Sequence, residues 1–160
     1  MSGGIPQASH NLYSRSPFRL LGVSAEQPPE VLEARLREVV EACREGVLRR
    51  PPGDLPWLPE VRQDEESVRQ AGKVLSEVRG RLYQRLWWPH ARTSVDREAL
   101  GLARQGDFVK AAELWQQAWK DEPGARATAA HNLAILYHSR SLAAPRGLAA
   151  ATRDFELART

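Results

Sequence analysis

The run Leu100-Gly101-Leu102-Ala103-Arg104-Gln105-Gly106-Asp107-Phe108-Val109-Lys110-Ala111-Ala112-Glu113-Leu114-Trp115-Gln116-Gln117-Ala118-Trp119-Lys120-Asp121-Glu122-Pro123 reads as two short helices and the turn between them. The first helix is expected over Arg97 to Gln105, with Gly106-Asp107 as the turn. The second is expected over Phe108 to Glu122, stopped by Pro123-Gly124. Working outward, Ala125 to Ser139 predicts a third helix and Gly147 to Arg159 a fourth. On the other side, Pro17 to Val23 carries the apolar residues Phe18, Leu20, Leu21 and Val23 after a proline that a first helical turn accepts, and Gly22 fits its stop. Val31 to about Val47 places Val31, Leu32, Leu36, Val39, Val40, Cys43 and Val47 at steps of three and four, one helical face. Prolines at 51, 52, 56 and 59 forbid helix over 49–63. Asp64 is a good N-cap for a further helix. Its stripe of Val68, Ala71, Val74, Leu75, Val78, Leu82 and Leu86 predicts one element up to Trp88-Pro89. No segment alternates with a period of two, so the expected fold class is all-α.

Residues 100–123 resemble one tetratricopeptide repeat. Gly106, Phe108, Ala111, Trp115, Ala118 and Pro123 stand at that family's spacing. Small residues let its paired helices approach, and aromatics fill the gaps between successive pairs. His131-Asn132-Leu133-Ala134-Ile135-Leu136-Tyr137 resembles the first helix of a second, divergent repeat. Two repeats share too little core to stand alone. Either the first half of the chain caps them, or the chain is a fragment with more repeats after Thr160. The resemblance implies a concave, peptide-holding face carrying Arg104, His131, Ile135 and His138. It also puts Asp96 where the subclass that binds acidic chaperone tails has a lysine, which disfavours that ligand. His131 and His138 lie two turns apart, a spacing poorer for zinc than three or four, so no metal is expected.

Residues 16–88 resemble a J-domain, the module that couples helper proteins to Hsp70 chaperones. The resemblance rests on Pro17-Phe18-Arg19-Leu20-Leu21-Gly22-Val23 and on Lys73-Val74-Leu75-Ser76-Glu77-Val78-Arg79-Gly80-Arg81-Leu82-Tyr83. It implies two antiparallel helices joined by a loop. The family's His-Pro-Asp tripeptide belongs in that loop, and this chain has none; the segment there runs Arg49-Arg50-Pro51-Pro52-Gly53-Asp54-Leu55-Pro56-Trp57-Leu58-Pro59. Trp57 either tucks back as an extra core residue or anchors a partner, with Arg35, Arg37, Arg44, Arg49 and Arg50 on the rim. Of Trp87 and Trp88, about 100° apart on a helix, one is expected in the hairpin and the other against the second half, or, as the preferred reading, both glue the two halves together.

The architecture expected is thus a J-like helical hairpin packed against tetratricopeptide-like antiparallel helix pairs: an N-terminal arm over 1–15, a J-like module over 16–90 and repeats over 91–160. The bulk numbers narrow the function. Net charge is +3, with 13 basic and 12 acidic side chains in residues 1–90 and 10 and 8 in residues 91–160, so neither half is a dense basic module for nucleic acid. No apolar run nears the ~20 residues that span a bilayer. The N-terminus lacks a signal-peptide pattern, and one cysteine fits a reducing cytoplasm. Cys43 falls on an apolar stripe, no phosphate-cradling glycine motif occurs, and no catalytic triad is recognisable, so neither enzyme nor cofactor is expected. The expectation is a non-catalytic, cytoplasmic protein–protein interaction adaptor, chaperone-related or part of a multiprotein assembly. Its contacts are expected through Trp57, Arg49, Arg50, Arg35, Arg104, His131, Ile135 and His138. The alternatives are an atypical Hsp70 co-chaperone acting without His-Pro-Asp and, less favoured, a nucleic-acid-binding module.

Overall fold

The computed structural model describes residues 12–47, 54–61 and 63–143. Among these the chain is all-α, with seven helices: α1 (Pro17–Leu21), α2 (Pro29–Arg44), α3 (Glu65–Ser76), α4 (Val78–Arg85), α5 (Ser94–Arg104), α6 (Phe108–Asp121) and α7 (Arg126–Ala143). None is long and apolar enough to cross a membrane. Local signals set most ends. Gly22 stops α1 in the left-handed region at φ 63°, where a side chain would be strained. Asp64 caps α3 by accepting from the Ser67 amide at 2.8 Å. Thr93 and Asp96 close a reciprocal capping box at the start of α5.

Two hydrophobic clusters form. The first gathers Phe18 and Leu21 of α1, Leu32, Val39 and Val40 of α2, Val68, Ala71 and Leu75 of α3, and Leu55 and Leu58 of the proline-rich loop. In it α2 and α3 run antiparallel: Arg44 near the end of α2 pairs with Glu65 at the start of α3, and Leu36 lies against Gly72 at mid-helix. The second cluster fills the space between α5, α6 and α7, with Trp115 (1% exposed) at its centre and Ala99, Ala103, Ala111, Ala118 and Ala129 letting the backbones approach. Here too neighbours are antiparallel. Arg126, at the start of α7, donates to the Trp119 carbonyl near the end of α6.

Three expectations need correction. The helix expected from Asp64 to Trp88 is two elements. Glu77 is extended (φ −79°, ψ 124°) and separates α3 from α4. As a result Val78, Leu82 and Leu86 leave the buried stripe and are 64%, 56% and 60% exposed. The arm expected over 1–15 does not reach that far, because Leu12 to Ser14 are helical and Tyr13 is buried in the first cluster. Ser141 to Ala143, expected to open a turn that runs to Pro145, are helical in α7, and residues 144 and 145 lie outside the described residues. The helix expected over Gly147 to Arg159 lies outside the described residues.

Candidate functional site

The residues expected to form an open groove instead join the two halves. On α7, His131, Ile135 and His138 recur at helical spacing and so share a face. That face meets the first half. Ile135 is 4% exposed and belongs to the first cluster, which removes it from any open surface. His131 lies edge-on to His90 at 4.5 Å between ring centroids, with its Nε2 3.2 Å from the Trp88 carbonyl. His138 is more exposed, yet its Nδ1 shares a hydrogen bond with the Tyr13 hydroxyl at 2.8 Å and its ring lies against Trp87. Burial pushes the Tyr13 phenol up to about 12. Trp88 is buried in the first cluster while Trp87 faces α7, the first of the two readings of the pair.

Trp57 tucks back onto the chain, as the first reading of it has it, and reaches both halves. It packs against both hydrophobic clusters, donates its indole N–H to Ser139 Oγ at 3.0 Å, and stands edge-on to Phe108. Arg35 is half-buried on α2, donating to the Leu21 carbonyl at 2.9 Å and to Glu38. Arg49 and Arg50 lie outside the described residues. Arg104, at the end of α5, reaches a cavity of about 240 Å³ that Arg19, Ser24 and Asp54 line from the other half. Desolvation lowers its guanidinium pKa. Trp57 and Ile135 thus come together at the junction with His131 nearby, whereas Arg35 stands apart on α2.

Two polar centres were missed in the sequence. Arg19 is fully buried on the short apolar helix α1 and makes a two-pronged ion pair with Asp54, at 2.5 Å from Nε and 2.9 Å from its terminal nitrogen. It also donates to the Pro59 carbonyl at 2.7 Å, so one side chain clamps the proline-rich loop onto α1. A lone arginine inside Phe18-Arg19-Leu20-Leu21 was the available signal. Asp96 (2% exposed) is the second centre. One oxygen accepts from the Trp115 indole and from Asn132, both at 3.1 Å, and the other accepts from the Thr93 amide at 2.9 Å. Asn132 in turn brackets His90, donating to its carbonyl and accepting from its amide. Asp96 is therefore an internal tie between α5, α6 and α7.

A third feature is a surface. No residue of α4 is buried, and Val78, Leu82, Tyr83 and Leu86 project from it. Arg79, Arg81 and Arg85 lie between them. Cys43 is half-buried against the first cluster, and burial, then Asp64 and Glu65, push its thiol up and away from the reactive thiolate. Among the described residues no group of three or more His, Cys, Asp or Glu could hold a metal ion. No protein-family model, no curated protein and no solved structure matches the chain.

Proposed function

We propose that this protein is a non-catalytic, cytoplasmic protein–protein interaction adaptor of a chaperone-related or multiprotein assembly, in which a J-like hairpin is joined to tetratricopeptide-like helix pairs. One observation carries the reading: the apolar and basic face of α4 is exposed, while the groove-type residues on α7 are engaged within the chain. Large aliphatic side chains grouped on one helix face are a contact surface awaiting a partner. The test is capture from native lysate with a photo-crosslinking residue at position 82. Stable protein adducts that compete with untagged chain are expected, and crosslinks confined to the chain itself would overturn the reading.

The co-chaperone alternative is favoured by the helix order. A short α1, an antiparallel α2–α3 pair joined through a proline-rich loop, and a short α4 support the J-like reading, although the loop has Asp54 bound to Arg19 and no His-Pro-Asp. A single-turnover ATPase assay with the host's Hsp70 separates the two. No stimulation is expected, and clear stimulation would replace the adaptor reading with the co-chaperone.

A further inference from the structure

We infer that α4 is the docking face for an acidic amphipathic helix of a partner protein; this rests on the adaptor reading and names the chemistry of what binds. The face has two parts. Val78, Leu82 and Leu86 stand four residues apart, so they form a single line along one edge of the helix, with Tyr83 (53% exposed) beside it. Leu86 keeps the helical register, at φ −64° and ψ −22°. A line of three side chains spans roughly 12 Å, one residue wide, which is the seam one helix offers another. The second part is charge. Between Val78 and Leu86 there are three arginines and no acid, and Glu77 stands just before the helix. Among the described residues no ion pair is seen for Arg79, Arg81 or Arg85, as is also the case for Arg37, Arg92 and Arg97; what sets α4 apart is that three arginines flank one apolar line with no acid between them.

An acidic helix with an apolar seam satisfies both parts, by the mode in which a helix lays its apolar face on a partner. Other occupants satisfy only one. A second copy docked face to face would set the same arginines against each other. Neither segment flanking the described residues has an acidic excess: residues 1–11 have no acid, and residues 144–160 have Asp154 and Glu156 against Arg146, Arg153 and Arg159. Nucleic acid would use the arginines and leave the aliphatic line in water. A membrane surface would meet only a two-turn helix, short for an interfacial anchor.

The test uses the full chain and three fluorescently labelled helical peptides, read by anisotropy. One has leucines at four-residue spacing flanked by glutamates; the second replaces the glutamates by lysines; the third replaces the leucines by serines. The first should bind, and the other two should bind at least roughly tenfold more weakly. Leu82→Ser and Arg81→Glu should each weaken the first peptide by about fivefold or more, and added salt should weaken it further. Both positions are off the core, and circular dichroism checks that the variants stay folded. Failure of the acidic peptide to bind at about 1 mM, or equal binding of the lysine peptide, overturns the inference. If the lysine or serine peptide binds best and Leu82→Ser abolishes it, the partner class is wrong while the adaptor reading stands. Sedimentation with phosphatidylserine vesicles that Leu82→Ser abolishes, or a dimer that Leu82→Ser dissolves, assigns the face to lipid or to a second copy and overturns it as well.

Discussion

Arg19 and Asp54 are 35 positions apart, and no local spacing links them. Their side chains are 0% and 2% exposed, so the pair meets out of water. Removing Arg19 takes its two-pronged donor from a buried carboxylate, and removing Asp54 takes the carboxylate from a buried guanidinium. Arg19→Ala is therefore expected to cost about 3–5 kcal/mol in urea unfolding. Asp54→Asn, which keeps the shape and loses the charge, should leave Arg19 uncompensated and fall in the same direction. At Asp96 the prediction turns on donors and acceptors. Asp96→Asn keeps one oxygen for Trp115 and Asn132 but turns an N–H group toward the Thr93 amide, which is itself a donor. One buried amide then lacks an acceptor, so a loss of about 1–3 kcal/mol is expected in the same assay. The sequence placed Asp96 at a ligand-contacting position by resemblance. Its actual use is internal, because its neighbours on α6 and α7 are buried donors.

At the scale of elements, the division between α3 and α4 is where periodicity was least able to speak. The apolar stripe of Val68, Ala71, Leu75, Val78, Leu82 and Leu86 continues through Glu77 without a change of phase. Nothing in its spacing announces a break. The break is visible in the packing of Gly80. A Cβ added there would lie 2.4 Å from the Val74 carbonyl oxygen, a backbone atom that cannot turn aside. At Gly72 the nearest atoms are the methyl ends of Leu36, which can move. Alanine raises helix propensity by about 1 kcal/mol over glycine at both positions. Gly80→Ala is nevertheless expected to destabilise the chain, by about 1–3 kcal/mol, because overpacking against backbone exceeds that gain. Gly72→Ala should lie within about 1 kcal/mol of wild type as Leu36 repacks. Thermal unfolding of the two variants side by side checks the order. The helix ends, by contrast, were legible. Gly22, Asp64 and Pro123 act on their own backbone neighbours, and such effects are written within a few residues.

Across the whole molecule, the junction between the halves is built of aromatic and polar side chains: Trp57 on Phe108 and Ser139, Trp88 with His131, and His90 with Asn132 and Glu26. Desolvation holds the His90 imidazole below its usual 6.5, helped by His131 and opposed by the Arg85 carbonyl and Glu26. A depressed folded-state value means that the unfolded chain takes up the proton first as pH falls. The stabilisation is complete above about 6.5 and is lost as pH drops from there toward the folded-state value. His90→Gln should flatten this part of the stability profile between pH 7.5 and 5.5, relative to wild type, in urea titrations. An equal slope in both proteins would assign the acid sensitivity elsewhere. The sequence alone determined that the chain is helical and where most helices begin and end. Those properties follow from propensity, capping and periodicity, which act within a few residues. Only the tertiary structure decided that Trp57 and Ile135 are internal, that Arg19 is buried against Asp54, and that α4 keeps its apolar edge in water. These outcomes depend on which distant surfaces meet, and an apolar stripe carries no mark of which partner will cover it.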